Sequence, residues 1–280
     1  MIVDAHLHFW NLTKAEYPWL IPEFGPIYGN FEAPDVEPQL AANGVDKTVQ
    51  VQAANSYEDT AYMLEVADRH TWAAGVVGWV NLLDPDEAHK RLSMYSKNRH
   101  FKGVRHLIHD EPDPDWIVQD RAIEGLKVVA SFDMTFDVVA IYPKHIVHVP
   151  TLVEKVPNLR MVIDHLAKPP YGDSAAMAGW RDAMRAAAQS PNVYVKVSGL
   201  NTAAGKPDWS YQDIKPGIDF AREVFGAPRM MFGGDWPVAT LAGDYAQVVR
   251  ETNRAIADYS PEEQAYIWSK TAIEFYKLNV

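Results

Sequence analysis

The chain has 280 residues, enough for one large core or two modest domains, and its 48% hydrophobic and 22% charged residues are those of a folded chain rather than a disordered one. With 26 basic and 37 acidic residues the net charge is −11, which argues against nucleic acid and anionic membrane surfaces as partners. There is no cysteine, which excludes disulfides, thiolate metal sites and a cysteine nucleophile.

No apolar run approaches the roughly 18 residues of a membrane span. The start, Met1-Ile2-Val3-Asp4, lacks the basic and apolar regions of a signal peptide, so the expected location is the cytoplasm. The first short apolar run covers residues 2–5 and leads into His6 and His8. At the end of a strand, alternation puts both imidazoles on one face. There they can bind a metal, donate hydrogen bonds or shuttle protons, although a pair of packed histidines reads the same way. Segment 11–34 is rich in Pro, Gly, Tyr and Trp and too long for a simple turn, as loops that cover active sites often are.

Further apolar runs follow at 48–52, 76–80, 103–107, 134–138, 161–163, 193–197 and 230–232. Several are rich in Val and Ile without alternation, as in parallel strands buried on both faces. Helix starts lie between them. Ser56 is followed three residues later by Asp59, Asp84 precedes Pro85, and Ser260-Pro261-Glu262-Glu263 combines a cap, a proline and a capping box. Strands alternating with helices imply parallel pairing through crossovers. The expected fold is a single α/β domain over 1–280, a (β/α)8 TIM-type barrel. An open doubly wound sheet is the alternative, weakened by the lack of a Gly-rich nucleotide loop after the first strand.

Two later strand ends carry further ionisable groups. His165 follows 161–163, and Asp235 follows 230–232 in Phe232-Gly233-Gly234-Asp235-Trp236-Pro237. The two glycines there suit a close backbone approach to a ligand. Taken singly, His165 can be a satisfied core histidine and Asp235 a turn cap. Together with His6 and His8 they fall at the C-terminal ends of the first, sixth and last strands, where barrel enzymes keep their chemistry. Arg105 or His106 can bind a substrate oxygen, and alternation lets only one of them face the interior. Lys196 and Ser198 share a face and can line a pocket. Trp10, Trp19 and Trp236 can stack on a sugar ring. His70, His89, His100, His145 and His148 read as surface histidines, and 110–115 as a solvated acidic loop on the same rim.

Asp4-Ala5-His6-Leu7-His8-Phe9-Trp10 resembles the opening of the amidohydrolase-related family. Val162-Ile163-Asp164-His165-Leu166-Ala167-Lys168-Pro169 and Phe232-Gly233-Gly234-Asp235-Trp236-Pro237-Val238 resemble its sixth- and eighth-strand motifs. Gly103-Val104-Arg105-His106 and Tyr194-Val195-Lys196-Val197-Ser198-Gly199-Leu200 are similar to its fourth- and seventh-strand segments, above all in the branch of sugar and muconate lactonases. The likeness spans nearly the whole chain. It implies a barrel hydrolase in which His6, His8, His165 and Asp235 are catalytic and Arg105, His106, Lys196, Trp10 and Trp236 contact substrate.

The chain departs from the metal-rich members of that family. They supply Lys or Glu on the fourth strand and His on the fifth, where this chain has Arg105 and His106, then Asp137. His6, His8 and Asp235 can still hold one divalent ion, zinc first, but the expected enzyme does not strictly require it. The expected reaction is hydrolysis of a sugar-acid lactone, with Asp235 as base toward water. The alternatives are a metal-dependent decarboxylase on the same scaffold and a non-catalytic sugar-acid binder. The expected partner is a small-molecule substrate, and the sequence leaves the oligomeric state open.

Overall fold

The computed structural model describes residues 1–280. Eight strands alternate with helices: β1 (Val3–Leu7), β2 (Lys47–Val51), β3 (Ala73–Gly78), β4 (Phe101–His106), β5 (Thr135–Val138), β6 (Arg160–Ile163), β7 (Val193–Val197) and β8 (Met230–Phe232). Each pairs in parallel with the next, from β1 through to β8. Leu7 then bridges to Trp236 just beyond β8, and the His8 N–H donates to Trp236 O at 2.7 Å. The sheet thus closes on itself as a (β/α)8 barrel, and the open sheet is excluded because its two ends are hydrogen-bonded.

The helix starts follow the capping chemistry. Ser56 and Asp84 accept from the backbone of Asp59 and Glu87, and Ser260 and Glu263 form a reciprocal capping box. The strand bounds shift from the apolar runs where polar or small residues lie inside a strand. β1 runs on through His6 to Leu7, and β3 starts earlier, in Ala73-Ala74-Gly75. No helix is long and apolar enough to cross a membrane.

The largest core lies between strands and helices and includes Val104, Phe136, Met161, Trp180 and Ile218. A second cluster joins Val3, Val49, Val77, Val162 and Met231 across the barrel interior to Phe275 and Tyr276. The C-terminal helix Thr271–Tyr276 therefore plugs the barrel at the N-terminal ends of its strands. With that end filled, the ionisable side chains gather at the other.

Candidate active site

His6 and His8 leave β1 through an irregularity in its pairing with β2, between Asp4 and Leu7. The buried Asp4 carboxylate locks this bend. It accepts from the N–H of His6 (2.9 Å), the N–H of Gly234 (2.8 Å) and the hydroxyl of Tyr245 (2.7 Å). Burial pushes its pKa up to about 6 despite those donors. The glycines before Asp235 serve this junction and not a ligand. A Cβ on Gly233 would lie 2.6 Å from the Cβ of His6, and one on Gly234 would lie 2.5 Å from Oδ2 of Asp4. Asp235 itself has φ +55°, which turns its carboxylate back over β1.

His165 is delivered by a rarer device. His165, Leu166, Ala167 and Lys168 all have φ between +49° and +56°. Left-handed backbone costs roughly 1–2 kcal/mol per residue and normally occurs one residue at a time. Tertiary bonds hold the turn: Trp180 Nε1 donates to Leu166 O at 2.7 Å, and the Tyr142 N–H to Ala167 O at 3.0 Å. The result sets the His165 ring 4.6 Å from that of His6 and brings Lys168 to the cavity wall.

These elements bring the four residues singled out as catalytic candidates together. Nε2 of His6 lies 3.1 Å from Nε2 of His8, and Oδ1 of Asp235 lies 3.7, 3.4 and 4.0 Å from Nε2 of His6, His8 and His165. Burial would raise the Asp235 pKa, but His165, His8 and His6 around it hold it below the usual carboxylate range. Burial lowers His165 to about 4 and His6 well below its ordinary value, so both rings are neutral. Nδ1 of His8 donates to Val51 O at 2.7 Å, which leaves its Nε2 lone pair facing the centre.

The His6, His8 and Asp235 atoms meet the size of a metal site. A tetrahedral zinc with ligands at about 2.0–2.1 Å has its ligand atoms about 3.4 Å apart. The three separations here are 3.1, 3.4 and 3.7 Å. The His8 Nε2 lone pair, the His6 Nε2 and the Asp235 carboxylate converge within ligand-to-ligand distance, so the residues fit one divalent ion. His6, Asp164 and His165 form a second grouping, but Asp164 is already engaged by Lys196 and Arg105.

Beneath the centre lies a buried charge stack. Lys196 Nζ sits 2.5 Å from Asp137, 3.1 Å from Asp164 and 3.1 Å from Nδ1 of His6. The Tyr276 hydroxyl donates to Asp137 at 2.8 Å. Arg105 donates to Asp164 at 2.9 Å and to Gln52 O at 3.0 Å. Burial would raise the Asp164 carboxyl, but Lys196, His6 and Arg105 pull it well below the usual range.

A cavity of about 280 Å³ opens above this floor, at the C-terminal ends of the strands. His8, His165, Asp235 and Arg105 line it together with apolar Trp19, Phe24, Leu107, Val139 and Val238 and polar His109, Asp110, Lys168 and Thr202. Trp19 and Phe24 come from segment 11–34, held by Trp19 Nε1 donating to Ala53 O at 2.6 Å.

Several substrate-contact candidates lie elsewhere. Lys196 has no exposed surface and is sealed under His6. His106 points away from the cavity, because Arg105 on the same strand takes the inward position. It stacks on Trp116 at 3.9 Å. Trp10 is buried behind His8 at 6.4 Å, and Trp236 packs on Phe9 and Phe31. Ser198 does not contact the cavity but sits 2.8 Å from Nδ1 of His165. His100 and His145 are buried, not on the surface, because both pack where loops meet the barrel. His109, Lys168 and Thr202 were not singled out by pattern, since they lie in short turns or a one-turn helix where no periodicity marks them, and Phe24 was covered only as part of segment 11–34. For His109, Lys168 and Thr202 the available signal was that they come within a few residues of a strand end.

Comparison with known proteins places the chain in a family. A family model described as Amidohydrolase matches residues 3–278. The L-fucono-1,5-lactonase of Burkholderia ambifaria is 35% identical over 281 residues, covering 99% of this chain and 96% of that protein. The L-fucono-1,5-lactonase of Burkholderia multivorans is 32% identical over 289 residues, covering 99% and 96%. The crystal structure of an amidohydrolase from Burkholderia multivorans with bound zinc superposes with a TM-score of 0.93 at 29% identity, over 100% of both chains. With a family model spanning almost its entire length and a full-length relative at this identity, the chain belongs to the amidohydrolase family.

Proposed function

We propose that this chain is a hydrolase that opens the ring of a sugar-acid lactone by base-assisted attack of water. The observation that carries the reading is the Asp235 carboxylate, its pKa held below the usual range beside His165, His8 and His6, at the base of a cavity lined by both apolar and polar side chains. Two full-length relatives named L-fucono-1,5-lactonase support the substrate class.

Asp235 accepts a proton from water, and the oxygen attacks the ring carbonyl. Charge then grows on the carbonyl oxygen. The fixed guanidinium of Arg105 faces the cavity and stabilises that charge. Preorganised groups of this kind typically contribute about 3–4 kcal/mol. The Ser198 hydroxyl at Nδ1 of His165 favours a proton on Nε2, beside Asp235. That N–H steadies the intermediate, and the proton collected by Asp235 passes to the leaving alkoxide. Trp19 and Phe24 cover the apolar face of the sugar ring and exclude bulk water.

His6, His8 and Asp235 would hold zinc as the ion of choice. When bound, the ion supplies Lewis-acid polarisation and a lowered water pKa. A lactone ester is activated enough that the residues described here suffice without it. The test is proton release with a panel of sugar-acid lactones beside carbon dioxide release from aromatic acids. Lactone turnover alone is expected. Carbon dioxide release without lactone turnover would favour a decarboxylase, and binding of sugar acids without either product would favour a binding protein.

A further inference from the structure

His109 and Asp110 take no part in the hydrolysis derived above, yet both line the cavity. They sit in a short 3-10 turn, Ile108–Asp110, directly after β4. Both sides of that turn are pinned. On one side, the Leu107 N–H donates to Oδ1 of Asn55 at 2.9 Å. On the other, Nε2 of the outward-facing His106 lies 2.7 Å from Glu111, while its Nδ1 accepts from Trp79 Nε1 at 3.0 Å. The turn's backbone is therefore held in place beneath its two side chains, of which Asp110 is 43% exposed and His109 27% exposed.

Nδ1 of His109 is buried with no hydrogen-bond partner, and Nε2 lies 3.5 Å from Oδ1 of Asp110. Burial, then Arg105, Lys168 and His165, push the imidazole pKa down to about 3, so the ring is neutral. A neutral imidazole carries one N–H. On Nδ1 it would be a stranded donor, so the proton belongs on Nε2, beside the carboxylate. The contact with Asp110 is too long for a good hydrogen bond. One donor and one acceptor thus stand side by side at a cavity wall without satisfying each other. A hydroxyl group, which donates once and accepts, completes both.

We propose that His109 and Asp110 form a hydroxyl-reading pair that selects lactones carrying a ring hydroxyl at one defined position. The proposal rests on the lactonase reading above and adds its specificity determinant. A site built to hydrogen-bond a substrate hydroxyl rejects the analogue lacking it far more strongly than an apolar pocket rejects a lost methylene, because its own polar groups are left unpaired.

The test compares the unmodified protein, His109→Phe and Asp110→Asn on a fully hydroxylated 1,5-lactone and on each of its monodeoxy analogues. The readout is kcat/KM by proton release, with circular dichroism and melting temperature as folding controls. The unmodified protein is expected to lose about 10-fold or more on one monodeoxy analogue. In His109→Phe the full lactone and that analogue should be turned over about equally, and Asp110→Asn should narrow the same ratio. If His109→Phe does not fold, the Asp110→Asn ratio decides. The proposal is overturned if the unmodified protein rejects no monodeoxy analogue, or if folded variants keep its discrimination. Lactone hydrolysis itself would stand in that case. If the unmodified protein opens no lactone at all, the reading of the reaction falls first and takes this proposal with it.

Discussion

Nη1 of Arg105 lies 3.3 Å from Nε2 of His6, the nitrogen that also faces His8 at 3.1 Å and Asp235 at 3.7 Å. A guanidinium N–H therefore reaches for the lone pair that an ion would use. Arg105 cannot easily swing away, since Asp164 and Gln52 hold its other contacts. An ion at this centre sits close to a fixed positive charge, which weakens its binding.

The first prediction concerns that ion. Zinc should bind to the protein and be removed by moderate chelator, and the stripped protein should keep most of its lactone hydrolysis. Elemental analysis before and after stripping, paired with the assay, checks both halves. Activity that vanishes on stripping and returns with zinc would show that the ion, and not Arg105, carries the developing charge.

Asp235→Asn keeps the shape of the side chain and removes its proton affinity. Loss of a general base typically lowers the rate by ~10²–10⁴-fold. The expected result is a fall of that order in kcat with the melting temperature little changed. A folded variant working at near the parent rate would remove Asp235 from the role of base.

Gly233→Ala tests the junction between β1 and β8. The added Cβ would lie 2.6 Å from that of His6 and 3.0 Å from that of Ser198. Neither neighbour is the free end of a flexible side chain, so the strands must part. Overpacking of this kind typically costs about 1–3 kcal/mol. Thermal unfolding should show a lower melting temperature, and activity should fall with it because His6 moves. An unchanged melting temperature would mean that the junction is looser than these distances imply.

Acid sensitivity has a definite sign. The ordinary histidine pKa is 6.5, and burial lowers that of His109 to about 3 in the folded chain. Between those values the unfolded state binds more protons, so stability rises with pH and is lost as pH falls below 6.5 toward 3. The side chain is 27% exposed, which softens the slope. His109→Phe should flatten the dependence of melting temperature on pH between 6.5 and 4. A slope identical to that of the parent would place the acid-sensitive groups elsewhere.

Much of the architecture was legible in the residue order. Short apolar runs, several of them rich in Val and Ile, marked all eight strands because parallel strands buried on both faces need continuous apolar stretches. Ser56, Asp84 and Ser260 marked helix starts because a cap satisfies amides within its own turn. His6, His8, His165 and Asp235 were legible because they end such strands, and a barrel directs strand ends to one rim. These signals are local, and each can be read within a few residues.

The remainder was decided by contacts between segments far apart in the chain. Whether Arg105 or His106 faces inward depends on how β4 is rolled against β3 and β5, and Lys196 is sealed because Asp137, Asp164 and Tyr276 close around it. The left-handed turn at His165–Lys168 opposes local backbone preference and exists only because Trp180 and Tyr142 hold it. His109 reaches the cavity because Asn55, Trp79 and Glu111 position its turn. Local order specifies which residues end each strand, since that rests on covalent neighbours. Which of them share a cavity rests on packing and hydrogen bonds between strands, which exist only once the barrel has closed.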